Sequence, residues 1–136
     1  MFQQDYLMRL IWQFVEALRR SREKQDPKQA AESVEDAIAE ALEIDANVVL
    51  GLAPESFAGI LQVSGTDPNV VEYIVRGLAL ESHYLSEAGD VQTSQLRFDQ
   101  ACALAGAYGV DAPAPGEIPV EEDFDEMLER DGVTQE

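Results

Sequence analysis

Only one histidine is present, so any histidine-based metal site must be built around it. That residue is His83, and Glu87 follows it by one helical turn. Metal-binding helices of the Glu-x-x-His kind carry an acid three residues before the histidine, where this chain has Leu80. The spacing therefore predicts a surface histidine, with no metal site and no cofactor.

The single cysteine and a group of carboxylates are the other candidates for catalysis. Cys102 lies among alanines on a predicted helix with no basic side chain near it in sequence, which favours a small buried residue over a nucleophile. Carboxylates that could form an acid–base pair are Glu81, Glu87, Asp90 and Asp99, although any acidic helical chain offers such pairs. These residues indicate no catalytic site, and a small helical enzyme using carboxylates is the alternative hypothesis.

The charge of the chain limits the partners that it can accept. The 136 residues include 27 acidic and nine basic ones, which gives a net charge of −18, and six of the basic residues precede residue 29. An acidic surface repels nucleic acid and anionic membranes and favours basic protein partners.

A lone cysteine cannot form an intrachain disulfide, and no leader-like or bilayer-spanning apolar run occurs. We therefore expect a cytoplasmic protein.

The first helix has an unusually wide apolar face. Its main stripe repeats at three- and four-residue spacing and consists of Leu7, Leu10, Ile11, Phe14 and Leu18. Met8, Trp12 and Val15 widen this stripe to an arc of roughly 200°. Such a helix is buried on two sides, either at the centre of its own bundle or between its bundle and a second subunit, and a membrane-surface helix is the third alternative. We predict a dimer that forms through Met8, Trp12 and Val15.

Residues that typically begin or end helices predict an all-α fold of about five helices. Asp26-Pro27 and Asp67-Pro68 each combine a capping carboxylate with a proline at the first helical position, and Gly89-Asp90 forms a tight turn between two long helices. Residues 1–109 are expected to form a single helical domain. Residues 110–136 form an acidic, proline-containing tail, partly disordered or loosely docked, with a short helix that can dock through Phe124, Met127 and Leu128.

The antiparallel hairpin resembles a tetratricopeptide repeat over about one repeat, from Asp67 to Gly106. Positions that match the small residues and the wedge aromatic of that family are Ser82, Ser94, Phe98 and Ala101. The sequence departs from the family where Leu78, Ser82 and Leu85 replace the expected Trp, Gly and Tyr, and where Gly106 replaces a terminating proline. A single repeat must be completed by other helices, which here include the long N-terminal helix.

The resemblance implies a protein-binding role. Tetratricopeptide proteins commonly hold peptides along a groove formed by their first helices, which here would present Asn69, Glu72, Tyr73 and Arg76. Separately, "MFQQDYLMRLIWQF", "VVLGLAPESFAGIL" and the Gly-Asp hairpin resemble a family of small uncharacterised bacterial helical proteins, from which no functional residue can be transferred. The sequence therefore predicts a noncatalytic cytoplasmic interaction or scaffold protein.

Overall fold

A computed structural model describes residues 2–133, with the side chains of residues 5–45 and 47–133. This part of the chain contains seven α-helices and no strand: α1 (Phe2–Ser21), α2 (Pro27–Leu42), α3 (Ala46–Val49), α4 (Pro54–Val63), α5 (Pro68–Glu87), α6 (Val91–Tyr108) and α7 (Glu121–Asp131). The predicted all-α class is confirmed. The predicted count of about five helices is wrong, because this part of the chain has seven. They include the short helix α3 after Asp45 and α7, which is 11 residues long where only a short docking helix was expected.

The predicted capping residues begin the helices as their chemistry requires. The Asp26 carboxylate accepts a hydrogen bond from the Lys28 backbone N–H at 3.1 Å, and the Asp67 carboxylate accepts one from the Asn69 N–H at 2.8 Å. A proline occupies the first helical position in both cases, where its missing N–H costs nothing. The predicted starts of α2 and α5 are therefore both present, each with its cap.

The main helices pack in a row, in the spatial order α1, α2, α5, α6 and α4. Helix α5 lies at the centre and buries an almost continuous series of residues, from Val70 to Glu81. It also contacts α1, where the Phe14 ring lies directly against the backbone of Gly77. The core therefore runs along α5, and α1, α2 and α6 pack against it.

The α5–α6 hairpin is closed by two serines that bond to each other's helix. Ser82 Oγ donates to the Ser94 carbonyl at 2.8 Å, and Ser94 Oγ donates to the Ser82 carbonyl at 2.7 Å. Gly89 turns the chain between the helices with φ +88°, a conformation that glycine adopts without strain. These small residues permit close helix packing, while the tetratricopeptide assignment itself stays a prediction.

The C-terminal segment of the described chain is helical and packs on the other helices. Asp123, the third residue of α7, caps the start of that helix. Its carboxylate accepts a hydrogen bond from the Val120 N–H at 2.8 Å, which is the side-chain half of a capping box. The three side chains named for docking, Phe124, Met127 and Leu128, are all buried.

No helix within residues 2–133 combines the length and the apolar character that crossing a bilayer needs.

Candidate interaction face

The predicted peptide groove on α5 is covered by the chain's own C-terminal segment. Tyr73 is 0% exposed, and its hydroxyl donates to an oxygen of the Asp131 carboxylate at 2.8 Å. Burial, followed by this hydrogen bond, raises the pKa of Tyr73, so the phenol stays protonated and remains a donor. Of the four residues named for this groove, Asn69 alone is fully exposed. The face is therefore already occupied.

Ion pairs and side-chain hydrogen bonds fix the C-terminal segment on α5. The two terminal nitrogens of Arg130 donate to the two oxygens of Glu72 at 2.7 and 3.2 Å, a bidentate pair. Arg76 Nη2 donates to the Asp111 carbonyl at 3.2 Å. Arg76 Nη1 is buried and finds no hydrogen-bond acceptor within the described residues. The covering segment thus leaves this guanidinium donor of α5 unsatisfied.

Helix α1 forms the other side of the same face. Arg19 lies against two acids of α7, with Nε 3.2 Å from the Glu121 carboxylate and a terminal nitrogen bonded to Asp125. Arg22 lies 3.9 Å from Glu121 and donates to the Pro119 carbonyl at 3.3 Å. The basic end of α1 therefore receives the acidic first turns of α7. We call this surface of α1 and α5 the α7-binding face.

The three residues predicted for self-association differ in how deeply they are buried. Val15 is 1% exposed and belongs to the core of its own chain, so its predicted place in a dimer contact is corrected. Met8 and Trp12 are only partly buried and pack against the edge of the core. Trp12 also lies beside Leu128 and Val133, where the C-terminal segment covers part of α1. The second apolar side of α1 is thus partly covered within one chain.

An open groove lies between α1 and α2, and Trp12 lines both this groove and the depression beside Leu128 and Val133. It encloses about 390 Å³ and is lined by residues of both helices. Its lining is mixed. The apolar side chains include Leu10 and Ala17 from α1 and Ala37 and Ala41 from α2, and the polar ones are Gln13, Glu16, Arg20 and Glu40. Alanines leave this space because they do not fill the distance between the helices. The signal in the sequence is the repeated alanine on α2 opposite large side chains on α1. We call it the α1–α2 groove.

A buried polar cluster joins α2, α5 and α6. Arg97 Nε donates to Glu81 at 2.9 Å, and Arg97 Nη2 donates to Glu35 at 3.0 Å. Arg97 Nη1 donates to the Leu50 carbonyl at 2.8 Å, and the Gln100 amide donates to the same carbonyl at 3.0 Å. The cluster therefore anchors the connection between α3 and α4 onto α6.

The electrostatics of this cluster favour one bound proton. Glu81 is 0% exposed, and burial raises its pKa well above the usual range, opposed by Arg97 and assisted by Glu35. Glu81 Oε1 has no hydrogen-bond partner within the described residues. The arrangement therefore ties the helices together and places Glu81 beside the Arg97–Glu35 ion pair.

The sequence does not predict this cluster. By residue type alone, α6 would bury Leu96, Phe98 and Cys102, but these are partly exposed, while Arg97, Gln100 and Leu104 are buried. Burial and the nearby Asp99 raise the pKa of Cys102, which disfavours a reactive thiolate. The error arose because polar side chains were assigned to solvent by type, although a buried arginine is tolerated when paired.

The carboxylates considered for catalysis serve separate contacts. Glu81 bonds to Arg97, Asp90 caps α6 through the Thr93 N–H, and Asp99 accepts from Gln95. Glu87 lies 3.4 Å from His83, which is partly exposed. No group of three or more metal-ligating side chains occurs in the described part of the chain. The structure therefore does not bring these acids together.

No protein-family model, curated protein or solved structure matches the chain.

Proposed function

We propose that the protein is a noncatalytic cytoplasmic interaction or scaffold protein that binds a basic amphipathic helix of a protein partner in the α1–α2 groove. The observation that carries this proposal is an open, partly apolar groove beside a row of exposed acids on α2, one of which, Glu40, lines the groove. A helix laid in such a groove buries its apolar face and pairs its basic residues with the rim.

The acidic row lies on α2. Glu32, Asp36, Glu40 and Glu43 are exposed at spacings of four, four and three residues, so they share one side of the helix. Glu40 also lines the α1–α2 groove. Glu32, Asp36 and Glu40 take part in no ion pair within the described residues. Basic side chains of a partner can therefore pair with them without displacing an internal contact.

The groove floor supports the apolar half of the contact. Leu10 and Trp12 are partly exposed, whereas the short side chains of Ala37 and Ala41 keep the floor low. Large apolar side chains of an incoming helix would fill this space at three- and four-residue spacing. Burying one of them contributes about 1.5–3 kcal/mol toward binding, from which the cost of association is subtracted.

Binding of synthetic helices of opposite charge tests this function. The probe is a fluorescein-labelled amphipathic peptide with leucines on one face and lysines on the other, and its control carries glutamates in place of the lysines. We expect saturable binding of the lysine peptide that weakens as salt is added, and no binding of the glutamate peptide. Equal binding of both peptides would contradict the proposal.

Charge reversal locates the site. Glu40→Lys places a positive charge on the groove rim, and Asp99→Lys makes the same change at an exposed residue of α6, away from the groove. We expect Glu40→Lys to weaken binding of the lysine peptide about tenfold and Asp99→Lys to weaken it much less, because exposed charge effects decay over about 10 Å at moderate salt. An equal loss in both variants would assign the binding to net charge alone.

Self-association through α1 stays a prediction, now restricted to Met8 and Trp12. Both are partly exposed, and Trp12 lines the α1–α2 groove. A dimer formed there would compete with the basic helix for the same side chain. Sedimentation at micromolar concentration, with and without the lysine peptide, measures this competition.

A further inference from the structure

The α7-binding face has the features of a second helix-binding site. We propose that it binds an acidic amphipathic helix of a protein partner, and that α7 occupies the face in competition with that partner. The face lies across α1 and α5, whereas the basic helix of the preceding proposal lies between α1 and α2. The two sites prefer helices of opposite charge, so each can be tested without the other.

Helix α7 shows which apolar side chains the face accepts. Phe124, Met127 and Leu128 are buried at relative positions i, i+3 and i+4, which defines one narrow apolar stripe. The remaining side chains of α7 are polar, and the exposed ones include Asp125, Glu126 and Glu129. This is the arrangement of an amphipathic helix seated in a groove. An incoming helix therefore needs an aromatic residue followed at three and four residues by large flexible apolar ones.

The charges of the face specify acids at defined places on that helix. Arg19 contacts both Glu121 and Asp125, one turn apart on α7, and Arg22 lies near Glu121. Acids in the first turns also interact favourably with the positive end of the helix dipole. At the other end, the buried Tyr73 hydroxyl donates to Asp131. The face thus pairs with carboxylates at the beginning and the end of a helix of about three turns, and its Glu72 pairs with one basic residue near the end, Arg130 in α7.

The attachment of α7 permits exchange. No backbone–backbone hydrogen bond joins residues 111–133 to residues 2–109, so side chains alone hold the segment in place. Residues 111–120 connect α6 and α7 without helix and contain prolines at 113, 115 and 119. The buried Arg76 Nη1 remains unpaired under the segment, within the described residues. A partner that places a carboxylate at Arg76 would satisfy a donor that the chain's own segment does not.

Tethering determines how strongly α7 competes. A segment on a short linker acts at an effective concentration on the order of 1 mM, so a separate helix binds only the fraction of molecules in which α7 has left the face. Weakening α7 increases that fraction and tightens binding of the separate helix by the same factor. Competition therefore predicts that damage to α7 improves binding of the separate helix to the same face.

The experiment measures binding of a fluorescein-labelled peptide with the sequence of residues 117–133 to the full chain. The wild-type chain is compared with a variant carrying Phe124→Ala and Met127→Ala, which removes two buried anchors of α7. We expect the peptide to bind this variant at least tenfold more tightly than it binds the wild type. Far-UV circular dichroism checks that the α1–α6 helices of the variant remain folded.

Two adjacent arginines locate the contact. Arg19→Glu reverses the charge that α7 contacts, whereas Arg20→Glu makes the same change at a residue that lines the α1–α2 groove instead. Added to the double variant, Arg19→Glu should weaken peptide binding at least tenfold, and Arg20→Glu should change it less than threefold. Equal effects of the two changes would overturn the assignment of the face.

A milder variant covers the case in which the double variant unfolds. Asp125→Lys in the full chain removes an exposed ionic contact of α7 without opening the core, and should tighten peptide binding a fewfold. Absence of tightening in a folded variant overturns the proposal. Dimerisation of the wild type that disappears in the double variant would instead assign the face to α7 of a second copy, and would also overturn it.

Discussion

Replacing Gly77 by alanine perturbs the contact between α1 and α5 at its closest point. Gly77 lies in the interior of α5 and is buried, and its missing Cβ would lie 2.6 Å from Cζ and 3.3 Å from Cε2 of the Phe14 ring. Carbon atoms in favourable contact are about 3.5–4.0 Å apart, so the ring must move by about 1 Å. Phe14 is itself buried, and the surrounding core resists that movement.

Two opposing terms determine the size of the effect. Alanine favours the helix over glycine by about 1 kcal/mol, which stabilises the variant. Overfilling a packed core costs about 1–3 kcal/mol, which destabilises it. We therefore expect Gly77→Ala to lower the free energy of unfolding by about 1 kcal/mol, with an upper value of about 2 kcal/mol. For a domain of this size, a loss of 1 kcal/mol lowers the melting temperature by about 3–5 °C.

Gly59 provides the matched control, because it lies inside α4 and its Cβ would meet nothing within 4 Å. Gly59→Ala should stabilise the protein by about 0.5–1 kcal/mol in the same urea-unfolding measurement. In a Phe14→Leu background, which removes the ring, Gly77→Ala should become neutral or stabilising. If Gly77→Ala stabilises the wild type as much as Gly59→Ala does, the argument from the Phe14 contact is wrong.

Two further predictions concern buried hydrogen-bonding groups. Because the folded pKa of Glu81 is raised, its protonated form contributes stability that is complete below the unfolded pKa and is lost as pH rises through the folded pKa. Glu81→Gln keeps an acceptor for Arg97 and an amide donor toward Glu35, but the amide does not titrate. The stability of this variant relative to wild type should therefore increase as the pH rises above about 4.5 in urea-unfolding measurements. A difference that stays constant above about pH 4.5 would show that folding does not raise the pKa of Glu81. Tyr73→Phe removes the donor to Asp131 and should cost about 0.5–1.5 kcal/mol in the same assay; an unchanged stability would show that this contact is not formed in solution.

Local sequence signals predicted the helices well. The Asp-Pro pairs before α2 and α5 act over two or three residues, so their geometry follows from residue type alone. The Gly89 turn is equally local, since a positive φ is a property of one residue. Apolar periodicity likewise placed Ile11, Phe14 and Leu18 correctly in the core.

Contacts between distant segments explain what the sequence did not reveal. Whether Tyr73 lines an open groove depends on where residues 110–133 pack, and the acidic, proline-containing composition of that segment suggested loose attachment. The burial of Arg97 depends on Glu35, 62 residues away, and on the Leu50 carbonyl, 47 residues away. The apolar residues of α6 do not form one clear stripe, so periodicity could not choose its buried side.

The contact between α1 and α7 has a consequence for synthesis of the chain on the ribosome. The apolar side of α1 that includes Trp12 is partly covered by residues near Leu128 and Val133, more than 100 positions later. At translation speeds of about 5–20 residues per second, that side stays uncovered for roughly 5–25 s after α1 is made. During this interval the nascent chain displays an amphipathic helix with basic residues at its end, which is the kind of surface that molecular chaperones shield from aggregation.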